Sequence, residues 1–198
     1  MKIAKDTHFN MVLISSACDN DDFKPIFDDV PGEILVNPNL SEFNSLLRHH
    51  KDRPLIITGH GDESGVYDEH LYGYILSHNN VYLLHELPFI IGVWCFAGNF
   101  ADHFNLPGFY TSMFISNEPE AHLMGHPAPA SMIREENIKF AKLLNHLIKT
   151  EPDMSKWVDI FHRSINLDGA GSVRDTNLRT FVRYNYEALY YSDGKNLG

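Results

Sequence analysis

The stretch LIITGHGD, at residues 55–62, joins a short apolar run to a histidine that stands between two glycines. A run of this length, rich in β-branched residues, predicts a buried strand over Pro54–Thr58. The glycines on either side of His60 allow the backbone to turn sharply and leave the imidazole accessible. We therefore expect a strand that ends in an exposed histidine.

A second stretch, FIIGVWCFAGN at residues 89–99, has the same arrangement around a cysteine. Its apolar part predicts a strand over Phe89–Trp94, and Cys95 is expected to begin the helix that follows. A helix N-terminus lowers the pKa of a thiol and offers N–H groups to an oxyanion. A lone cysteine in an apolar strand is usually a small buried residue. The catalytic hypothesis therefore depends on the pairing of Cys95 with His60, the minimal set for acyl transfer.

The rest of the chain alternates short apolar runs with longer periodic ones. Further strands are predicted at Phe9–Ser16, Glu33–Val36 and Phe109–Ser116, with a hairpin over Gly65–Tyr67 and Leu71–Leu76. Helices are predicted at Glu42–His50 with Ser41 as N-cap, after Cys95 as far as Leu106–Gly108, at Ile133–Lys149 and at Ser155–Asn166. This alternation predicts an α/β fold: one domain over residues 1–198, with a three-layer, mostly parallel sheet of about six strands and helices on both faces.

In an open parallel sheet, ligands bind at the carboxyl ends of the strands. Cys18, His60, Cys95 and Ser116 all fall at or just after a predicted strand end. We expect these residues to lie along one edge of the sheet.

Composition excludes several classes of partner. The chain has 16 basic and 26 acidic residues, a formal charge of −10, and its scattered basic residues argue against nucleic-acid binding. No apolar stretch reaches the roughly 18 residues of a membrane helix. Two cysteines cannot form a disulfide framework, so we expect a reducing, cytoplasmic compartment. Asp6, His8 and Asn10 interrupt the apolar run near the start, so we expect no signal peptide. We expect no cofactor and no metal, since His122 and His126 lack a third ligand at suitable spacing.

The pattern "apolar strand–His-Gly", followed by "apolar strand–Cys-x-x-Gly", resembles the caspase-like cysteine peptidases, which include metacaspases and clostripain-like enzymes. His60-Gly61 matches the family's His-Gly, Cys95 matches its nucleophile, and Gly98 matches the glycine three residues on. The stretch 111–121 is similar to the strand that lines the substrate site in clostripain-like members. The resemblance covers about residues 9–121, and residues 131–198 are expected to be a helical and irregular completion of the fold.

This resemblance implies a cysteine endopeptidase that acts on a peptide or protein substrate. His60 would be the general acid/base, Cys95 the nucleophile, and the N–H groups of Gly61 and Cys95 the oxyanion donors. The family uses a dyad, so no third residue is assigned to orient His60.

The resemblance also bears on substrate specificity. Caspases carry an arginine at the end of the first strand, where this chain reads SACDNDD at residues 16–22. Cys18 followed by Asp21 is similar to metacaspases, whose P1 pocket is acidic, and a carboxylate pairs well with arginine or lysine. Cys18, Asp19, Asp21 and Ser116 are therefore the predicted substrate-binding residues. A solvated acidic loop explains the same segment equally well.

Two other functions fit the same sequence. One is a catalytically inactive, peptidase-like binding or regulatory module. The other is an unrelated doubly wound ligand-binding protein in which Cys95 is buried and far from His60. A regulatory partner is compatible with the peptidase and with the binding module. Neither a membrane nor a nucleic acid is an expected partner for any of the three functions.

Overall fold

A computed structural model of the protein describes the backbone of residues 11–15, 21–165 and 173–195, and the side chains of 22–165 and 180–195. The strands are β1 Met11–Ser15, β2 Gly32–Val36, β3 Leu55–Thr58, β4 Gly61–Asp62, β5 Gly65–Tyr67, β6 Tyr74–Ser77, β7 Ile90–Val93, β8 Gly108–Thr111 and β9 Leu189–Ser192. The helices are α1 Leu40–His49, α2 Ala97–Phe104, α3 Glu118–Leu123, α4 Ala130–Thr150, α5 Trp157–Ser164 and α6 Val173–Glu187. Short 3₁₀ segments span Asp21–Phe27, Val81–Glu86 and Met154–Lys156.

The main sheet is six-stranded with the order β2-β1-β3-β7-β8-β9. Every neighbouring pair from β2 to β8 is parallel, and β9 runs antiparallel to β8. A separate antiparallel sheet contains β4, β5 and β6, and so includes the predicted hairpin. The α/β class and the mostly parallel sheet are therefore confirmed.

Strand β3 shows why the apolar runs are continuous. Its side chains alternate between the two faces of the sheet, and all four of its residues are buried. Ile56 belongs to a core that includes Phe140 of α4 and Phe161 of α5. Leu55 and Ile57 belong to the opposite core, which includes residues of α1, α2 and the small sheet. Helices thus pack on both faces.

Helix α1 begins differently from the prediction. Asn39, rather than Ser41, is the N-cap: its Oδ1 accepts hydrogen bonds from the N–H groups of Ser41 and Glu42, at 2.9 and 3.0 Å. The Glu42 carboxylate in turn accepts from the N–H of Asn39 at 2.9 Å, which completes a capping box. Glu42 is three residues after Asn39, the spacing of a capping box, so it favours residue 39 over residue 41 as the N-cap.

Strand β8 ends at Thr111, so the prediction of a strand as far as Ser116 was wrong. Beyond it, the Asn185 side chain of α6 bonds both the N–H and the carbonyl of Ile115, at 2.8 and 2.9 Å. A buried amide thereby satisfies the backbone groups that a neighbouring strand would otherwise bind.

The last third of the chain is more than a helical and irregular completion. After α4, α5 and α6 it contributes β9, which pairs Ser192 with Gly108 and Leu189 with Thr111. The strand is four residues long and three of its residues are partly exposed. It lacks the continuous apolar character by which the other strands were predicted.

Among the described residues, no helix combines the length and apolar character needed to cross a membrane.

We expect Gly92→Ala to destabilise the protein. A Cβ at this position in β7 would lie 2.4 Å from Trp94 Cζ3 and 2.8 Å from Tyr110 Cδ1. Both rings are buried, so overpacking should lower the free energy of unfolding by about 1–3 kcal/mol, measured by chemical denaturation.

Gly98→Ala is the matched control. Its Cβ would meet Tyr190 at 3.4 Å, an ordinary contact, and alanine favours the helical backbone of α2. Its stability should be unchanged or slightly raised. Equal losses in the two variants would contradict the steric argument.

Candidate active site

Cys95 lies in the turn between β7 and α2, not at the first residue of the helix. Phe96 is the N-cap, with φ 65° and ψ 22°, and the helix begins at Ala97. The N–H of Phe96 donates to the Ser112 carbonyl at 3.0 Å. The prediction that Cys95 begins the helix was therefore wrong, because a left-handed residue separates the two.

One buried hydroxyl holds the backbone just before Cys95. Thr111 Oγ1 donates to the Trp94 carbonyl at 2.7 Å and accepts from the Trp94 N–H at 3.1 Å. Both polar backbone groups of Trp94 are thereby satisfied beyond the last paired residues of β7 and β8. This contact fixes the direction in which the chain leaves the sheet.

His60 follows β3, which is the parallel neighbour of β7. The last pair between these strands is Thr58 with Val93, so His60 and Cys95 each lie two residues beyond it. His60, Cys95 and Ser116 line one small pocket with Phe23 and Phe114. The pocket measures about 20 Å³, which is room for a single water molecule.

The Cys95 thiol is not poised as a thiolate. It donates a hydrogen bond to the Phe114 carbonyl, with 3.5 Å between sulfur and oxygen. Burial raises the pKa of Cys95, and the negative charge of Glu120 raises it further. The expected lowering of this pKa was wrong, since the helix begins two residues later and the sulfur is largely enclosed by protein.

Glu120 of α3 also positions Ser116. Its carboxylate accepts hydrogen bonds from the Ser116 N–H and hydroxyl, at 2.7 and 2.9 Å. Ser116, one of the predicted substrate-binding residues, lines the pocket with its hydroxyl bonded to Glu120. The residue lies five positions beyond Thr111 rather than at the strand end.

Asp62, close to His60 in sequence, organises the small sheet. Its carboxylate accepts from Tyr67, Tyr74 and the N–H of Ser64, at 2.7, 2.9 and 2.7 Å. Burial acts to raise the pKa of Asp62, but these hydrogen bonds outweigh it and the pKa lies below its usual value. In the described part of the chain, the His60 ring has no hydrogen-bond partner of its own.

The Trp94 indole connects the two candidate catalytic loops, and sequence reasoning missed it. Its Nε1 donates to the Asp62 carbonyl at 3.2 Å. A Cβ on Gly61 would lie 2.5 Å from Trp94 Cδ1, and one on Gly92 would lie 2.4 Å from Cζ3. The two glycines were visible in the sequence, but only the fold shows that they contact the same ring.

The backbone N–H groups of Gly61 and Cys95, the predicted oxyanion donors, form no hydrogen bonds within the sheets. The N–H of Tyr67 donates to the His60 carbonyl at 2.9 Å, so the next pair, Gly61 with Val66, is of the non-hydrogen-bonded kind. The Gly61 N–H therefore points away from β5. The Cys95 N–H has no hydrogen-bond partner among the described residues.

The predicted P1 residues are the least defined part of the site. Cys18 and Asp19 lie outside the described residues, and Asp21 is described by its backbone alone, at the start of the first 3₁₀ segment. Phe23, two residues further on, lines the pocket. The segment that contains Asp21 therefore approaches His60 and Cys95.

The described ranges contain no group of three or more histidine, cysteine or acidic residues that could hold a metal ion. His122 Nε2 lies 3.9 Å from Glu118 Oε1, and the His126 ring packs against the Tyr184 ring.

Comparison with known proteins gave no match, either to a family model or to a curated protein.

We expect Glu120→Gln to lower the pKa of the Cys95 thiol, because the substitution removes a negative charge that disfavours the thiolate. Glutamine keeps a side-chain oxygen that can accept from Ser116. The measurement is the rate of iodoacetamide labelling as a function of pH, followed on the Cys95 peptide by mass spectrometry. The midpoint should move to lower pH.

Glu118→Gln is the control, since Glu118 is an exposed carboxylate on the same helix. Its labelling profile should match that of the unmodified protein. Identical midpoints in all three proteins would show that Glu120 does not act on the thiol.

Proposed function

We propose that this protein is a cysteine endopeptidase of the caspase-like type, in which Cys95 attacks a peptide carbonyl and His60 transfers the proton. The observation that carries the proposal is that these two side chains, which follow adjacent parallel strands, line the same pocket. A caspase-like arrangement is also supported by the parallel order of β1, β3, β7 and β8 and by the helices on both faces.

The chemistry needs only groups that lie in or beside the pocket. The Cys95 sulfur forms a bond to the carbonyl carbon, and its proton passes through the His60 imidazole to the leaving amine as the C–N bond breaks. The N–H groups of Gly61 and Cys95 are available to the oxyanion of the tetrahedral intermediate. Water then attacks the acyl carbon of the thioester, and His60 transfers the proton from that water to the Cys95 thiolate as the C–S bond breaks.

The raised pKa of Cys95 affects how the first step proceeds. Because burial keeps the thiol protonated, proton transfer to His60 accompanies attack instead of preceding it. A substrate must also displace the Phe114 contact and widen a pocket that has room for one water. Substrate binding is therefore expected to open the site before reaction.

The same observations favour a second candidate, a peptidase-like module that binds a peptide without cleaving it. A thiol that is bonded to a backbone carbonyl and kept neutral by burial suits a site that has lost its chemistry. A thiol-reactive peptide probe separates the two: the enzyme is labelled at Cys95, and the module is not.

We expect Cys95→Ala and His60→Ala to abolish cleavage of a mixed fluorogenic peptide library, whereas Cys18→Ala retains measurable activity. The reason is that Cys95 lines the same pocket as His60. Equal loss of activity in Cys18→Ala and Cys95→Ala would contradict the assignment of Cys95 as the nucleophile. No cleavage by the unmodified protein, together with no probe labelling, would favour the module.

We expect cleavage after arginine or lysine, with Asp19 or Asp21 supplying the negative charge of the P1 pocket. Loss of one partner of a buried charged pair costs about 2–5 kcal/mol, so Asp21→Ala should reduce kcat/KM for a basic substrate by about tenfold or more. Asp28→Ala, an exposed aspartate seven positions on, is the control. A preference for aspartate or small apolar P1 residues would contradict this assignment.

A further inference from the structure

A second and larger cavity lies between α2, the end of α6 and β9. Its volume is about 430 Å³, within the range of small-ligand sites. Its lining includes Gly98 and Asp102 of α2, Tyr184 and Glu187 of α6, and Tyr190 of β9.

This cavity is next to the turn that holds Cys95. Ser112, one of its lining residues, accepts the hydrogen bond from the Phe96 N–H. Burial raises the pKa of the Tyr184 hydroxyl, and the charge of a Cys95 thiolate would raise it further. The cavity thus extends the surface around Cys95 on the side of α2 and β9, whereas His60 lines the other pocket.

The walls of the cavity suit a cation. None of the lining residues is basic, two are carboxylates and two are tyrosines. The Tyr190 hydroxyl donates to Asp102 Oδ1 at 2.8 Å. Glu187 Oε1 forms an exposed ion pair with Arg183 Nε at 2.7 Å. The second carboxylate oxygen of Asp102 and that of Glu187 take no part in these contacts. The faces of the Tyr184 and Tyr190 rings also attract cations.

Tyr190 is also held in place. Its ring lies against Gly98, where an added Cβ would be 3.4 Å from Tyr190 Cβ, and its backbone pairs with Tyr110 in the sheet. One wall of the cavity is therefore anchored to the same sheet as β7, the strand that leads to Cys95.

We propose that this cavity binds the guanidinium or ammonium group of a basic side chain in the peptide substrate, at a position other than P1. The inference rests on the proposed peptidase function, and it specifies a substrate class through Asp102, Glu187 and the two tyrosine rings. The net charge of −10 favours approach of a basic peptide from solution.

The test measures binding without cleavage. Nα-acetyl-arginine methylamide and the uncharged Nα-acetyl-citrulline methylamide are titrated into the Cys95→Ala protein by calorimetry. In Cys95→Ala protein that also carries Asp19→Asn and Asp21→Asn, which remove the charge proposed for the P1 pocket, arginine should still bind about tenfold more tightly than citrulline. Adding Asp102→Asn with Glu187→Gln should remove that difference. Glu69→Gln with Glu118→Gln, which removes the same charge elsewhere on the surface, should preserve it.

Three results would overturn the inference: equal affinity for the two probes, an unchanged difference in Asp102→Asn with Glu187→Gln, or loss of the difference only in Asp19→Asn with Asp21→Asn. The last would place the cation at the end of the first strand. Thermal melts establish that each variant is folded. Since no cleavage is involved, failure here is distinct from failure of the peptidase proposal, which the Cys95 and His60 variants decide.

Discussion

The contact between the Trp94 indole and two glycines is the constraint on which the candidate active site depends. Gly92 leaves room for the ring above β7, and Gly61 lets the loop after β3 approach its edge. The indole N–H then bonds the carbonyl of Asp62. The loops of His60 and Cys95 are thus joined through the Trp94 side chain.

The sequence predicts the parts of this fold that depend on burial alone. Strands such as β3 and β7 are buried on both faces, so each is a continuous apolar run, and their carboxyl ends share one edge because they are parallel. The turn at Phe96, the end of β8 and the strand β9 depend instead on distant partners. Thr111 and Asn185 determine the first two, and no local pattern indicates which backbone groups they bond.

The state of the thiol shows the same limit in electrostatic terms. A cysteine near a helix start predicts a lowered pKa, but burial and Glu120 reverse the sign. Glu120 also holds Ser116 against the pocket, so one carboxylate shapes the site and adds to the effect of burial on the pKa of Cys95. A substrate that moves α3 would therefore change both the shape of the pocket and the charge near Cys95.

The pairing of β9 with β8 has a consequence for synthesis of the chain. β7 and β8 are close in sequence and can associate early, but the outer edge of β8 receives its partner only when Leu189–Ser192 has left the ribosome. Until then, its backbone donors and acceptors form an open strand edge, of the kind to which other chains can add. Nascent chains of this protein should therefore depend on chaperones most strongly in the interval between the emergence of β8 and that of β9.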